Sequence, residues 1–411
     1  MKLEKLGNIC RIRNGYAFKS DKFTDEGVAI IRISDIQANF VTTDKSVRTP
    51  FHPVFENYRI KKGDILIAMS GATTGKFGIY DSDEIAFQNQ RVGMFEINNH
   101  QVLKSQYLFQ ALKLVKPQIE KKAYGGGQPN ISAANIGELK IPLPSISDQL
   151  HIANLLSKAE NLISQRKQSI ALLDDFLKST FLEMFGDPVR NEKGWKLKLL
   201  SEYGKSRLGK MLDAKQIIGN NLKPYLRNSN LQWFSFKLDG LLEMDFDEKD
   251  KKEFSLKYGD ILMCEGGEIG RCAIWKNQLQ DCYFQKAIHR IRVNKEFVLP
   301  EFFVYMFWLY TSNGGLKKYM GAATISHLTG ENLKNLKLPI PPIKLQTQFA
   351  QIVEKTGVLK AQYQSSLQEL ESLYGSISQR AFRGELTLNN AEEQVLMAAE
   401  PEAGYQAYKK K

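Results

Sequence analysis

Two long stretches of the chain repeat apolar residues at alternating intervals of four and three, the spacing of a helix with one buried seam. At 1.5 Å per residue, the pattern predicts two helices of about 39 residues, each roughly 58 Å long. Arg166 and Lys360 interrupt the seams, and Ser147 is the predicted N-cap of the first helix. The predicted seam positions are Ile152, Leu156, Ile163, Ile170, Leu173, Leu177, Phe349, Val353, Leu367, Leu370 and Tyr374.

A lone helix of this kind would expose its apolar seam to water, so we expect the two helices to pack against each other. The stretches that precede them have a mixed pattern. Ile65–Met69 is a short apolar run typical of a buried strand, whereas 106–115 and 301–310 have the broad apolar face of a helix. Each globular stretch is therefore predicted to be α+β.

The chain consists of two tandem copies of one unit. The segment Ile141-Pro142-Leu143-Pro144, followed by Gln149, reappears as Leu338-Pro339-Ile340-Pro341, followed by Gln346. Earlier in each copy, Gly63-Asp64-Ile65-Leu66 matches Gly259-Asp260-Ile261-Leu262. Two copies of one unit pack most readily about a two-fold axis, which predicts antiparallel helices related by pseudo-two-fold symmetry.

The repeat predicts two α+β domains separated by two long antiparallel coiled-coil helices. The first globular domain covers 1–145 and the second covers 187–342. The helices occupy 146–186 and 343–384. The remaining tail, 385–411, has the clustered charges of a flexible end.

The net charge of +12 falls almost entirely in the two globular stretches, while the helical stretches are close to neutral. A basic surface indicates a polyanionic partner, most often nucleic acid. Charge alone leaves a second interpretation open, namely that the excess lysine and arginine serves only solubility.

Catalytic patterns are missing from the sequence. The stretch from Gly71 to Lys76 resembles a phosphate loop, but it is one residue short and no Ser or Thr follows the lysine. Asp247 to Lys249 has the form of a nuclease half-motif, in a run of alternating charge that is more typical of a solvated loop. No dinucleotide fingerprint or adenine-methyltransferase motif occurs, and the five histidines are scattered. The sequence therefore predicts no catalytic site and no cofactor of its own.

The cysteine pattern gives no sign of a disulfide framework or a zinc site, because none of the four cysteines forms a C-x-x-C pair. The N-terminus is charged, and no apolar run approaches the roughly 18 residues of a membrane helix. We therefore expect ordinary thiols, no metal and a cytoplasmic location.

Polar strand ends and glycine-rich loops are the candidate DNA contacts, because such loops approach phosphates closely and carry side chains to base edges. Plain tight turns and linkers would have the same composition, and the sequence leaves both interpretations open. The candidates are Arg32, Ser34, Thr73, Thr74, Lys76, Gln88, Asn89, Arg91, Gln128, Asn130, Arg227, Asn228, Glu265, Glu268, Arg271, Gln285, Lys286, Thr324, Ser326 and His327.

Taken together, the two I-P-L-P-type segments with Gln149 and Gln346, the two Gly-Asp-Ile-Leu strands and the long helices resemble the specificity subunit of type I restriction-modification systems. The resemblance extends to residue 390. It implies that each globular half is a target-recognition domain for one half-site of a bipartite DNA target. Because the two halves differ in sequence, the target is expected to be asymmetric.

The resemblance also implies partners, and it implies that the long helices act as a spacer and as a docking surface for them. Two methyltransferase subunits and the restriction subunits would dock on this chain and would supply S-adenosylmethionine, ATP and magnesium, while the chain itself stays non-catalytic and away from membranes. One alternative from the residues is a stand-alone architectural DNA-binding protein with no enzyme partner. Co-purification with a methyltransferase distinguishes the two.

Overall fold

The computed structural model describes residues 1–123, 129–211, 219, 221–317 and 327–386. The chain divides into two compact units. Unit 1 comprises Met1–Gln165 together with the described residues from Leu367 onward, and unit 2 comprises Arg166–Ser366. Each unit therefore contains one globular domain and a stretch of both long helices.

The globular part of unit 1 is built on two sheets. Its elements in chain order are β1 (Leu3–Lys5), α1 (Leu6–Ile9), β2 (Cys10–Asn14), β3 (Val28–Ile31), β4 (Asn39–Val41), β5 (Arg48–Thr49), β6 (Arg59–Ile60), β7 (Ile65–Ala68), β8 (Phe77–Tyr80), β9 (Ala86–Gln88), β10 (Val92–Ile97), α2 (Ser105–Ala123), α3 (Ala133–Gly137) and β11 (Lys140–Pro142). One sheet has the strand order β2-β10-β7-β8-β4 and the other β5-β3-β9-β6, while β1 pairs with β11.

The apolar run of β7 is continuous because the strand is buried on both faces. Ile65 and Ile67 point into a cluster with side chains of α2. Leu66 and Ala68, which alternate with them, point into a second cluster with Ala29 and other residues of the four-stranded sheet. The sheet of β7 is thus the middle layer of unit 1.

The globular part of unit 2 repeats this plan. After α4 (Ile146–Phe185), the elements are β12 (Leu197–Leu199), α5 (Leu200–Tyr203), β13 (Gly204–Leu208), β14 (Leu222–Leu226), β15 (Leu231–Gln232), β16 (Ser235–Phe236), β17 (Leu242–Asp245), α6 (Glu248–Phe254), β18 (Ile261–Cys264), β19 (Cys272–Ile274), β20 (Tyr283–Phe284), β21 (Ile288–Val293), α7 (Pro300–Ser312), α8 (Gly330–Lys334), β22 (Lys337–Pro339) and α9 (Ile343–Arg383). The sheets have the orders β13-β21-β18-β19 and β17-β14-β20, and the pairs β12-β22 and β15-β16 complete them.

The tandem repeat extends to strand order and turn geometry. The antiparallel order β2-β10-β7-β8 of unit 1 corresponds to β13-β21-β18-β19 of unit 2. The aspartate of the repeated Gly-Asp turn closes the turn with the same hydrogen bond in both units. The Asp64 carboxylate accepts the Lys61 amide at 2.7 Å, and the Asp260 carboxylate accepts the Lys257 amide at 2.8 Å.

The two long helices run antiparallel within each unit. In unit 1, the Tyr374 hydroxyl donates to the Glu160 carboxylate at 2.7 Å, and Ala381 shares a core cluster with Ile152. In unit 2, the contacts also descend along α9 as they ascend along α4: Arg166 with Tyr363, Asp174 with Lys360, and Phe181 with Phe349. Every predicted seam side chain is buried or half-buried, so the predicted helix pair is confirmed.

The repeated glutamine fixes the start of each long helix to its globular domain. Gln149 is fully buried, donates to the carbonyls of Val102 and Pro144 at 2.9 and 3.1 Å, and accepts the Lys104 amide at 2.9 Å. Gln346 makes the corresponding three bonds in unit 2. A buried amide with all these groups satisfied explains why the glutamine recurs after the proline motif.

The predicted N-cap of the first helix was wrong. The helix begins at Ile146, and the hydroxyl of Ser145 accepts the Asp148 amide at 3.2 Å. Ser147 lies inside the first turn, because the helix starts immediately after the extended Pro-x-Pro segment. None of the described helices has the length and hydropathy of a membrane span.

Candidate nucleic-acid interface

Glycine-rich loops follow the central strand of each unit. Gly75 and Gly270 have φ angles of 85° and 81°, a region that side chains disfavour. Their amides close the loops by donating to the carbonyls of Ala68 at 2.9 Å and Cys264 at 3.0 Å. Each loop is therefore a fixed turn at the end of a buried strand.

The first of these loops does not present a phosphate site. The amides of Thr74, Gly75 and Lys76 donate to carbonyls of the same strand-and-loop segment at 2.9 to 3.0 Å. A phosphate loop instead leaves such amides free to converge on an anion. The similarity between the stretch from Gly71 to Lys76 and a phosphate loop is limited to composition.

A polar cleft with a volume of about 530 Å³ lies beside the end of β7 in unit 1. Three segments form it: the strand end at Met69, the turn at Arg91 and the segment 129–133. The Met69 amide donates to the Arg91 carbonyl at 3.0 Å, and the Ile131 amide donates to the Met69 carbonyl at 2.9 Å. The polar side chains lining the cleft are Asn14, Ser70, Gln90, Arg91, Asn130 and Ser132.

Most polar side chains of this cleft have unused hydrogen-bonding capacity. Asn14, Gln90, Arg91 and Asn130 are exposed and make no side-chain hydrogen bond or ion pair with another described residue. The Ser70 hydroxyl oxygen is buried and lacks a partner within the described part of the chain. A concave surface with convergent unpaired donors and acceptors is suited to a polar ligand.

Four predicted contact side chains of unit 1 are instead engaged within the fold. Gln88 is fully buried, and its amide donates to two backbone carbonyls at 2.7 Å each. The Thr74 hydroxyl donates to a backbone carbonyl at 2.6 Å, and the Thr73 hydroxyl does so at 3.1 Å. The Ser34 hydroxyl donates to the Asp35 carboxylate at 3.2 Å. These side chains maintain the scaffold, and their DNA contacts stay predictions.

The remaining predicted contacts of unit 1 are more accessible. Lys76, Arg91 and Asn130 are exposed, and Arg32 and Asn89 are half-buried. The Arg32 guanidinium lies 3.9 Å from a carboxylate of its own turn. Among these residues, the structure brings together Arg91 and Asn130, which line the cleft.

Three predicted contacts of unit 2 form one linked cluster. The Arg271 guanidinium donates to the Glu268 carboxylate at 2.5 Å and to the Asn228 carbonyl at 2.8 Å. The Asn228 amide donates to the Gly266 carbonyl at 3.1 Å. This cluster connects the glycine-rich loop to the turn after β14. Its members therefore stabilise the loop, and their DNA contacts stay predictions.

The equivalent strand end in unit 2 is at Glu265, and the two segments bonded to it carry Lys286 and His327. The Glu265 amide donates to the Ala287 carbonyl at 2.9 Å, and the Leu328 amide donates to the Glu265 carbonyl at 2.8 Å. Glu265 is half-buried, whereas Lys286 and His327 are exposed. The same three-segment construction therefore occurs in both units.

A buried histidine supports this second site. The His289 side chain is almost fully buried, and burial lowers its pKa below the ordinary value. The neutral ring then donates from Nε2 to the Leu328 carbonyl at 3.0 Å. This bond holds the segment that carries His327 against the strand end.

Sequence reasoning missed four polar cleft residues, Asn14, Ser70, Gln90 and Ser132. Their only local signal is position, since the first three lie at a strand end or in a turn and Ser132 precedes a short helix, and their proximity comes from the tertiary fold. Two further predicted contacts, Arg227 and Gln285, are half-buried in unit 2. The predicted contacts Gln128, Thr324 and Ser326 lie outside the described residues.

The thiols are expected to be inert in the folded chain. All four cysteines are buried, and burial raises the pKa of Cys10 and of Cys282 to about 12. The thiolate is the reactive form, so iodoacetamide at pH 8 should label none of them until urea unfolds the protein. Mass spectrometry of alkylated peptides measures this. Stoichiometric labelling of the folded chain would contradict the burial.

Metal-binding clusters are absent from the described residues, where no three His, Cys, Asp or Glu side chains meet in a suitable group.

The sequence matches a known protein family over most of its length. The sequence model of the type I restriction modification DNA specificity domain matches residues 1–172 and 192–371. The chain belongs to this family. It carries two copies of the specificity domain, one for each half of the tandem repeat.

Curated relatives of this specificity protein align over most of its length. The specificity subunit of type I restriction enzyme EcoBI from Escherichia coli is 23% identical, over 93% of this chain and 85% of its own. The EcoKI specificity subunit from E. coli strain K12 is 23% identical, over 93% and 88%. Membership and these relatives confirm the predicted role as a non-catalytic DNA specificity subunit.

Solved structures share the fold at low sequence identity. The S subunit of the type I restriction-modification system from M. genitalium superimposes with a TM-score of 0.58 at 16% identity, covering 94% of this chain and 96% of that one. A chain from a structure of type I system assembly and conformational transition gives 0.57 at 17% identity, covering 94% and 98%. The predicted tandem α+β fold with two long helices is confirmed.

Proposed function

We propose that this specificity subunit reads a bipartite, asymmetric DNA target, one half-site per unit, and that it serves as the scaffold of a type I restriction-modification enzyme. The observation that carries the proposal is the pair of strand-end sites. They have the same backbone hydrogen bonds, but Arg91 and Asn130 line one, and Glu265 and His327 the other. The same backbone arrangement with different side chains suits the recognition of two different DNA sequences.

The charge distribution supports DNA as the ligand. The net charge is +12, and the excess lies in the globular stretches that carry the strand-end sites. Positive charge supplies sequence-independent attraction to phosphates, while polar side chains in clefts supply base discrimination. Both globular stretches carry the excess positive charge, and each strand-end site presents polar side chains.

The helix pair is the proposed docking surface for two methyltransferase subunits, and restriction subunits join the assembly in the complete enzyme. Leu172 and Phe176, one turn apart on α4 in unit 2, are 57% and 51% exposed. In unit 1, Leu162 and Leu373 are 51% and 52% exposed on the two helices. Exposed apolar side chains on a helix pair whose seam is already filled suit a protein partner.

The partners supply the chemistry in this proposal. Methylation of adenine requires S-adenosylmethionine, and DNA translocation and cleavage require ATP and magnesium, which the partner subunits would bind. The specificity subunit would position the DNA for these reactions in the cytoplasm and would contribute no reacting group.

Methylation mapping tests the proposed function. The full chain is co-expressed with its methyltransferase in a host that lacks adenine methylation, and modified adenines are mapped across the genome. We expect one asymmetric motif of two parts separated by a fixed number of unspecified base pairs. Absence of methylation, or a continuous palindromic motif, would contradict the proposal.

Polar substitution of the exposed apolar pair should disrupt the complex. The double variant Leu172→Ser, Phe176→Ser is expected to reduce the methyltransferase recovered by pull-down at least about tenfold, since apolar anchors dominate interface energetics. Asp175→Ser, at an exposed position of the same helix turn, is the matched control and should retain full recovery. Full recovery with the double variant, at unchanged helix content, would exclude this surface.

A further inference from the structure

The strand-end sites of the two units correspond residue by residue. Met69 and Glu265 are equivalent. The backbone amide of each donates to the turn before the neighbouring strand of the sheet, and its carbonyl accepts from the segment that precedes a short helix. The carbonyls that receive these amides belong to Arg91 and Ala287, which are therefore also equivalent. The correspondence rests on hydrogen bonds and holds despite the different side chains.

The charged side chain occupies a different one of the two equivalent positions in each unit, and its charge has the opposite sign. Unit 1 has an apolar side chain, Met69, at the strand end and a guanidinium, Arg91, on the turn. Unit 2 has a carboxylate, Glu265, at the strand end and a methyl group, Ala287, on the turn. One site thus offers a forked donor where the other offers an acceptor.

Neither charged group is held in a hydrogen bond or ion pair by another described residue. Arg91 is exposed and pairs with no carboxylate among the described residues. The Glu265 carboxylate accepts no hydrogen bond within the described part of the chain. A carboxylate near DNA repels phosphate, and such a repulsive group contributes to specificity when it accepts from one base and excludes the others.

The base edges that match these groups differ. A guanidinium donates in bidentate fashion to O6 and N7 of guanine, and a carboxylate accepts from the N4 amino group of cytosine. Resting on the proposed function, we propose that Arg91 reads a guanine in the half-site of unit 1 and that Glu265 reads a cytosine in the half-site of unit 2. The two residues are specificity determinants of separate half-sites.

The test exchanges each residue for its equivalent in the other unit. Arg91→Ala introduces the side chain of Ala287, and Glu265→Met introduces that of Met69, so each replacement already occurs in the same backbone frame. The complex with the methyltransferase is assayed on duplex oligonucleotides that carry each of the four bases at every position of both half-sites. Arg11→Ala and Glu243→Met, at exposed positions on β2 and β17, are the matched charge controls.

We expect Arg91→Ala to lose about tenfold to a hundredfold of the preference for guanine at one position of one half-site. Glu265→Met should lose a similar factor for cytosine in the other half-site. Each variant leaves the opposite half-site unchanged, and both controls keep all preferences.

Two results would overturn the inference. The first is an unchanged base preference in both variants. The second is an equal loss on every oligonucleotide with a shallower salt dependence, which identifies a phosphate contact. Failure of the unmodified chain to direct bipartite methylation would instead contradict the proposed function, so the two ideas fail separately.

Discussion

Replacing Phe349 with alanine is expected to lower the free energy of unfolding of unit 2 by about 4 kcal/mol. The ring is fully buried on α9. Its centroid lies 5.3 Å from that of Phe181 and 5.6 Å from that of Phe185, both on α4, and 5.3 Å from that of Tyr305 on α7. Truncation would leave a cavity where both long helices meet the globular domain.

Tryptophan fluorescence in a urea titration measures this loss for unit 2 alone, because all four tryptophans lie within Arg166–Ser366. Val358→Ala is the matched control on the same helix, where the side chain is 59% exposed and the expected change is within about 0.5 kcal/mol. If Phe349→Ala costs less than about 1 kcal/mol, the ring does not hold the core that the structure shows.

The helix pair could be predicted because its signal is local and periodic. The interval pattern located the seam, and all predicted seam positions are at least half-buried. The two irregular positions could not be interpreted from one helix. Arg166 stacks on the Tyr363 ring with a distance of 4.4 Å to its centroid, and Lys360 pairs with Asp174 at 2.6 Å. Each partner lies on the opposite helix, far away in sequence.

The sheets were less accessible to sequence reasoning. The run Ile65–Met69 predicted a buried strand, and the structure explains its continuity by burial on both faces. The pairing that places Asn14 opposite Gly93 has no local signal, since it joins distant strands. Asn14 was therefore missed as a cleft residue.

The candidate site was also only partly predictable from the sequence. Composition of the loops was enough to select Arg91, Asn130 and Glu265. It could not separate them from Gln88 and Thr74, which have the same polar character but donate to backbone carbonyls inside unit 1. Whether a polar side chain is available to a ligand depends on its tertiary neighbours, which a local sequence pattern does not predict.

The repeated glutamine was visible in the sequence as part of a motif, and its energetic role follows from its three bonds. Gln346 is fully buried, accepts the Leu299 amide at 2.9 Å, and donates to the carbonyls of Phe297 and Pro341 at 2.9 and 2.8 Å. Gln346→Ala leaves three backbone groups unpaired. We expect a loss of about 3 kcal/mol in the free energy of unfolding of unit 2, measured by tryptophan fluorescence in urea.

A second substitution separates hydrogen bonding from packing. Gln346→Met fills a similar volume and leaves the same three groups unpaired, so it should still lose about 2 kcal/mol. Gln348→Ala, two residues further along α9 and exposed, controls for helix propensity and should change stability by less than about 0.5 kcal/mol. If Gln346→Met were as stable as the unmodified chain, packing alone would explain the motif, and the glutamine bonds would contribute nothing to the junction.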